Sequence, residues 1–182
     1  SRVTDFRSNV YHAIWSPDGT RMAVLQAMEH RTLLIDPRRP FDQQKPEVLP
    51  PVTPCDAPPC ELAPWAFSPD GKLLAGELAD AAGNYRDVLV YSMVDHSYRA
   101  LAPRASGFPA WLHDGRRLIY IDEHDIFQIV DVDTGRTHEA GALPGASHRP
   151  CRLSFDDRQL FAAVNEGGAD LWLARFRGPD GK

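Results

Sequence analysis

A turn motif recurs along the 182-residue chain and limits its folding options more than any other feature. Trp15-Ser16-Pro17-Asp18-Gly19 precedes the apolar run 21–25, and Phe67-Ser68-Pro69-Asp70-Gly71 precedes the run 73–77. Trp111-Leu112-His113-Asp114-Gly115 precedes 117–121, and a degenerate copy, Leu153-Ser154-Phe155-Asp156-Asp157, precedes 159–163. The last motif position falls at Gly19, Gly71, Gly115 and Asp157, so successive copies lie 52, 44 and 42 residues apart. A period of about 40–50 residues is that of repeat architectures, in which each unit buries its apolar face on the next.

The motif has a physical reading. Proline presets φ at the first central position of a tight turn, aspartate bonds the neighbouring backbone, and glycine accepts positive φ. Its large apolar first residue (Trp15, Phe67, Trp111 or Leu153) suits the end of an inner strand buried between adjacent units. Third strands are predicted at 32–36, 87–91, 126–131 and 170–176, rich in β-branched and aromatic residues. More polar fourth strands follow at 98–101 and 137–140, the latter reached through the turn 133–136. The predicted class is therefore all-β: a β-propeller of four-stranded antiparallel blades, about four in this chain, as a small closed ring, an open arc or half of a larger ring. The blades are placed at about 10–52, 63–102, 107–141 and 149–176.

These residues resemble the WD40-like (PD40), TolB-type propeller repeat, and the resemblance covers nearly the whole chain. It implies a non-catalytic scaffold for protein, peptide or small-ligand binding, part of a larger bacterial protein. It equally admits an accessory propeller of a prolyl-oligopeptidase-like hydrolase, or a sensor domain of a bacterial Ser/Thr protein kinase. The third copy departs from the pattern at Leu112-His113 and the fourth at Phe155 and Asp157, so distorted turns are expected there.

Composition narrows the function. The formal charge of −5, with no Lys/Arg cluster, argues against nucleic acid as a partner. No apolar stretch approaches the roughly 18–20 residues of a membrane helix, so this segment is not expected to insert into a bilayer. The chain opens on Ser1 with no apolar leader, as a piece trimmed from a longer protein would. No Gly-x-Ser-x-Gly, phosphate loop, His-Glu-x-x-His or kinase signature is present, and the chain is read as neither an enzyme nor a cofactor binder.

Cys55 and Cys60 sit in a proline-rich loop, where they form either a local disulfide, which suits a periplasmic or other extracytoplasmic setting, or a pair of free thiols. Cys151 is expected to pack as a small buried hydrophobe. No zinc-ligand spacing exists. The acidic run 122–125 is read as a hairpin cap and 131–135 as a turn, although clustered carboxylates also suit hard cations.

Loops between second and third strands should share one face of the disc with the connections between blades. That face is predicted to carry His30, Tyr85, Arg86, Glu123, His124, Asn165 and Glu166 from the former, with Arg104, His148 and Arg149 from the latter. Such a mixture suits a peptide or a small polar ligand. The proline-rich insertion 42–64 is read as a stiffened connection between the first two blades, with polyproline II character. The segment 2–6 is expected to supply the missing outer strand of the last blade, within one chain or through ring closure in a homodimer.

Overall fold

The computed structural model of the chain describes residues 4, 9–143, 151–165 and 169–175. These form four antiparallel sheets, each a simple meander in chain order. The first comprises β1 (Val10–Trp15), β2 (Met22–Gln26), β3 (Arg31–Ile35) and β4 (Glu47–Val48). The second comprises β5 (Glu61–Phe67), β6 (Leu73–Ala79), β7 (Tyr85–Ser92) and β8 (Ser97–Ala102), and the third β9 (Ala105–Trp111), β10 (Arg117–Asp122), β11 (Ile126–Asp131) and β12 (Thr137–Ala142). The fourth has three strands among the described residues: β13 (Cys151–Leu153), β14 (Gln159–Asn165) and β15 (Ala169–Arg175). Apart from Thr4, the proposed strand at 2–6 lies outside the described residues.

The repeat read from sequence is a repeat in register. Trp15 pairs with Met22, Phe67 with Leu74, Trp111 with Leu118 and Leu153 with Leu160, seven residues apart each time. Each turn closes with the same backbone bonds, from Gly19 N–H to the Ser16 carbonyl, Gly71 to Ser68, Gly115 to Leu112 and Asp157 to Ser154, at 2.8–3.0 Å. The expected distortion of the third and fourth turns is absent. Asp157 adopts φ of 57°, close to the 67–70° of the three glycines, a conformation aspartate tolerates better than most residues. In three of the turns the serine hydroxyl donates to the aspartate two residues on at 2.6 Å.

Consecutive sheets pack through the first strand of the next, β1, β2 and β3 on β5, then β5, β6 and β7 on β9, then β9 on β13. Hence the first strand of each sheet is the inner one. The apolar side chains collect between sheets: Leu34, Leu62, Leu74, Leu89 and Tyr91 between the first two, Val88, Val90, Trp111, Leu118 and Val130 between the next two, and Ile119, Ile121, Phe127, Cys151 and Leu160 between the last two. Cys151, 1% exposed, packs as expected.

Two expectations are corrected. Phe67 and Trp111 gain their burial from the preceding sheet, with Trp111 Nε1 donating to the Ala66 carbonyl at 3.1 Å, whereas Trp15, in the first sheet, stays 56% exposed. The insertion is also shorter than 42–64. Its start forms a short 3-10 turn, Phe41–Gln43, and the fourth strand β4, while Pro64 lies inside β5, an edge strand with a bulge where a missing donor is tolerated. The remaining loop folds back on itself. Val52 donates to the Cys60 carbonyl at 2.9 Å, and Cys55 and Cys60 are joined by a disulfide with their Cα atoms 6.1 Å apart.

Candidate functional site

The repeated turns join first to second strands, so in the first three sheets the links between second and third strands emerge at the opposite end, together with the connections from the first blade to the second and from the second to the third. Contacts between these segments show the shared face directly. The Ala81 N–H reaches the Ala57 carbonyl at 3.3 Å, tying the β6–β7 link to the disulfide loop. Arg104, on the connection from β8 to β9, lies 3.6 Å from Glu123 on the β10–β11 link.

Arg104 has φ of 56°, and its N–H donates to Asp87 at 2.7 Å, fixing the loop before β9. Glu123 is also 3.9 Å from His124, so these three side chains form one exposed polar group. Below them Asp122 accepts from the N–H groups of His124 and Ile126 and from Gln128, which makes the run 122–125 a hairpin cap. Asp131 similarly accepts from the N–H groups of Asp133 and Thr134 and from the Thr134 hydroxyl, as a turn requires. Arg86 turns toward the disulfide loop, 3.5 Å from Asp56 and 3.9 Å from the buried Asp80. The Asp80 carboxylate holds the β6–β7 link by accepting from Ala82 and Asn84, and the Asn84 bonds depress its pKa. His148, Arg149 and Glu166 lie outside the described residues, and Asn165 ends β14.

His30 and Tyr85 lead to residues that the sequence reading overlooked. His30 lies 3.9 Å from Glu61, the first residue of β5, whose side chain is 6% exposed. Glu61 pairs with Ala79 and Glu77 with Ala63, so both carboxylates occupy one face of the second sheet as diagonal neighbours. Ala63 and Ala79, on this same face, pack with Leu25 of the first sheet. Burial pushes both carboxyls up to about 7, because removal from water penalises the charged form. Glu77 accepts a bond from Trp65 Nε1 at 2.8 Å, whereas Oε2 of Glu61 is buried without a partner. Burial, followed by the charges of Glu61 and Glu77, raises the Tyr85 phenol.

Along the inner strands, His12, Trp65 and Phe108 make a row of rings with centroid separations of 4.0 Å at both contacts. Burial lowers the His12 pKa, partly countered by the Pro64 carbonyl, and its Nδ1 lacks a partner. The signal for this cluster was legible as acids in apolar strands, Glu61 before Leu-Ala-Pro-Trp and Glu77 inside Leu-Leu-Ala-Gly-Glu-Leu-Ala. Among the described residues, no three His, Cys, Asp or Glu side chains gather closely enough to hold a metal ion.

No protein-family model matches the chain, and no curated protein matches it. Solved structures match its fold. A TolB candidate from Agrobacterium tumefaciens superposes with a TM-score of 0.73 at 19% identity, over 95% of this chain and 60% of that one. The Swd1 β-propeller domain of Myceliophteria thermophila gives a TM-score of 0.67 at 15% identity, over 95% and 59% of the two chains. An oligogalacturonate lyase in complex with manganese gives 0.66 at 16% identity, over 92% and 48%. The chain thus has a TolB-like propeller fold and spans 48–60% of the length of these structures. A lyase and proteins of other names share the architecture, so function must be argued from the site.

Proposed function

We propose that this TolB-like propeller segment is a non-catalytic binding module that takes a protein or peptide partner across the face built from its β2–β3, β6–β7 and β10–β11 links and its inter-blade connections. The observation that carries this reading is that links and connections of three successive blades carry exposed or half-buried polar and aromatic groups, His30, Tyr85, Arg86, Arg104, Glu123 and His124, beside a buried carboxylate with an unpartnered oxygen. Loops held on a rigid sheet scaffold suit such recognition, because little ordering cost remains at binding. From the sequence, His148, Arg149, Asn165 and Glu166 are assigned to the same proposed surface. The Cys55–Cys60 disulfide supports an extracytoplasmic setting, where such bonds persist.

A peptide-display selection against the immobilised chain tests this reading. Selected peptides should weaken about tenfold when Arg104 is changed to Glu or His124 to Ala, and should be indifferent to Val94→Ala in the β7–β8 turn on the other face. Peptides sensitive to Val94→Ala alone would refute it.

A further inference from the structure

Between the β2–β3 link, the start of the connection to the second blade and β8 lies a cavity of about 220 Å³. Glu61, His30, Arg31, Pro50, Pro51 and Tyr98 are among its walls. Tyr98 is already committed, its hydroxyl donating to the Pro50 carbonyl at 2.7 Å, so its ring and the two prolines offer apolar surface. Arg31 is committed as well, with Nε donating to Gln26 at 2.9 Å. Glu61 is different. Its Oε1 lies 3.9 Å from His30, beyond hydrogen-bond distance, and its Oε2 has no donor although the side chain is 94% buried (6% exposed).

We propose that this cavity is a recognition site for a primary ammonium group, presented by a lysine side chain of a peptide or protein lying across the loop face. The inference rests on the reading of that face as a partner surface. A carboxylate withdrawn from water without a donor is unfavourable until a cation or donor reaches it. The ionised form of Glu61 is disfavoured by burial, and an arriving ammonium reverses that balance. The cavity falls below the roughly 300–1,000 Å³ of sites for drug-sized ligands, so it suits one side chain. Proline and tyrosine walls fit the methylene stem of lysine, and a carboxylate at the end fits its charged head. A cavity of about 220 Å³ with one acid suits a compact ammonium better than the wide planar fork of a guanidinium. A hard metal ion would want about six oxygen ligands, and no cluster of acids or histidines provides them among the described residues.

Amide-resolved NMR titration of the isotopically labelled chain provides the test, with three probes: acetyl-glycyl-lysyl-glycine amide, the same peptide with its lysine acetylated, and n-butylammonium chloride. The lysine peptide should give saturable shifts at the amides of Thr32, Leu49 and Leu62, bind more tightly than butylammonium, and weaken about tenfold or more in Glu61→Gln. Val94→Ala should bind as the parent does. The spectrum outside the cavity shows whether Glu61→Gln is folded, and the acetyl-lysine comparison needs no variant. No saturable shift with the lysine peptide overturns the proposal. Equal shifts from the acetyl-lysine peptide at these amides overturn the ammonium site while leaving the face as a peptide surface. Equal affinity for butylammonium overturns presentation by a partner's lysine. Shifts confined to the turns around Val94 overturn the face itself.

Discussion

The backbone N–H of His113 donates to the carboxylate of Asp157 at 2.8 Å, across the boundary between the third and fourth blades. The equivalent boundaries juxtapose a proline and a glycine: a Cβ at Gly71 would lie 3.7 Å from Cδ of Pro17, and one at Gly115 3.6 Å from Cδ of Pro69. His113 stands where a proline would, which frees an N–H, and Asp157 stands where a glycine would, which supplies the acceptor. Two departures from the motif therefore answer each other, and their rings and loops stay close, with His113 and Phe155 4.3 Å apart.

A double-mutant cycle checks this coupling. Asp157→Gly removes the acceptor while keeping the backbone at φ of 57° unstrained, costing about 1 kcal/mol. His113→Pro alone leaves Asp157 without its donor, while His113→Pro with Asp157→Gly recreates the pairing of the other boundaries. Urea denaturation midpoints should show the double variant more stable than the sum of its single changes by about 1 kcal/mol.

Stability should depend on the two buried glutamates with a definite sign. Their folded pKa values, about 7 against the usual 4.5, are raised. The unfolded chain therefore ionises first, and stability is lost as pH rises from about 4.5 to 7. Each group carries a penalty of about 3 kcal/mol at most above that window. His12, whose pKa is lowered by burial, opposes this trend, because stability falls as it is forced to take a proton at acid pH. Glu61→Gln and Glu77→Gln should thus raise the urea midpoint at pH 8 and leave it nearly unchanged at pH 4, the Gln at 77 still accepting from Trp65. A larger gain at pH 4 than at pH 8 would contradict the assignment.

Gly76→Ala should be severely destabilising. A Cβ there would run into the Ala63 carbonyl oxygen and sit 2.8 Å from Leu62 Cδ1 and 2.9 Å from the Ala63 carbonyl carbon, beside the bulge of β5. Backbone cannot yield as a side-chain tip can, so a cost of about 3 kcal/mol or more is expected. Gly107→Ala, where the neighbours are Ile121 side-chain atoms at 3.1–3.4 Å, should cost about 1 kcal/mol. Thermal unfolding of the two variants distinguishes these outcomes.

Thiol chemistry should be sharply divided. The denatured, unreduced chain is expected to show one reactive thiol, Cys151, and the native chain none, since Cys151 is buried and its pKa is pushed up to about 11. Reduction of the Cys55–Cys60 bond, which closes a short loop, should lower stability by about 2 kcal/mol. Alkylation followed by mass determination counts the thiols, and denaturation with and without reductant measures the loss.

Much of the architecture could be read along the chain because turn chemistry is local. Proline, aspartate and glycine at Pro17, Asp18 and Gly19 specify a bend whatever surrounds them, and its recurrence before apolar runs announces the inner hairpin of every blade. The same locality let the hairpin cap at Asp122 and the turn at Asp131 be recognised. The two-residue strand β4 was missed because Glu47 and Val48 carry no pattern of their own and are recruited by pairing with Leu34 and Leu33.

What only the tertiary structure decided depends on distance through space. Trp15 and Trp111 begin the same motif, yet one is exposed and the other buried, because burial comes from the neighbouring sheet and not from the turn. Likewise His30 announced itself as a loop histidine, while Glu61 and Glu77 became notable only when β5 and β6 set their carboxylates on one face of the second sheet and His30 came up against Glu61. Desolvation belongs to the packed assembly, so the charge state of a glutamate cannot be read from its sequence neighbours.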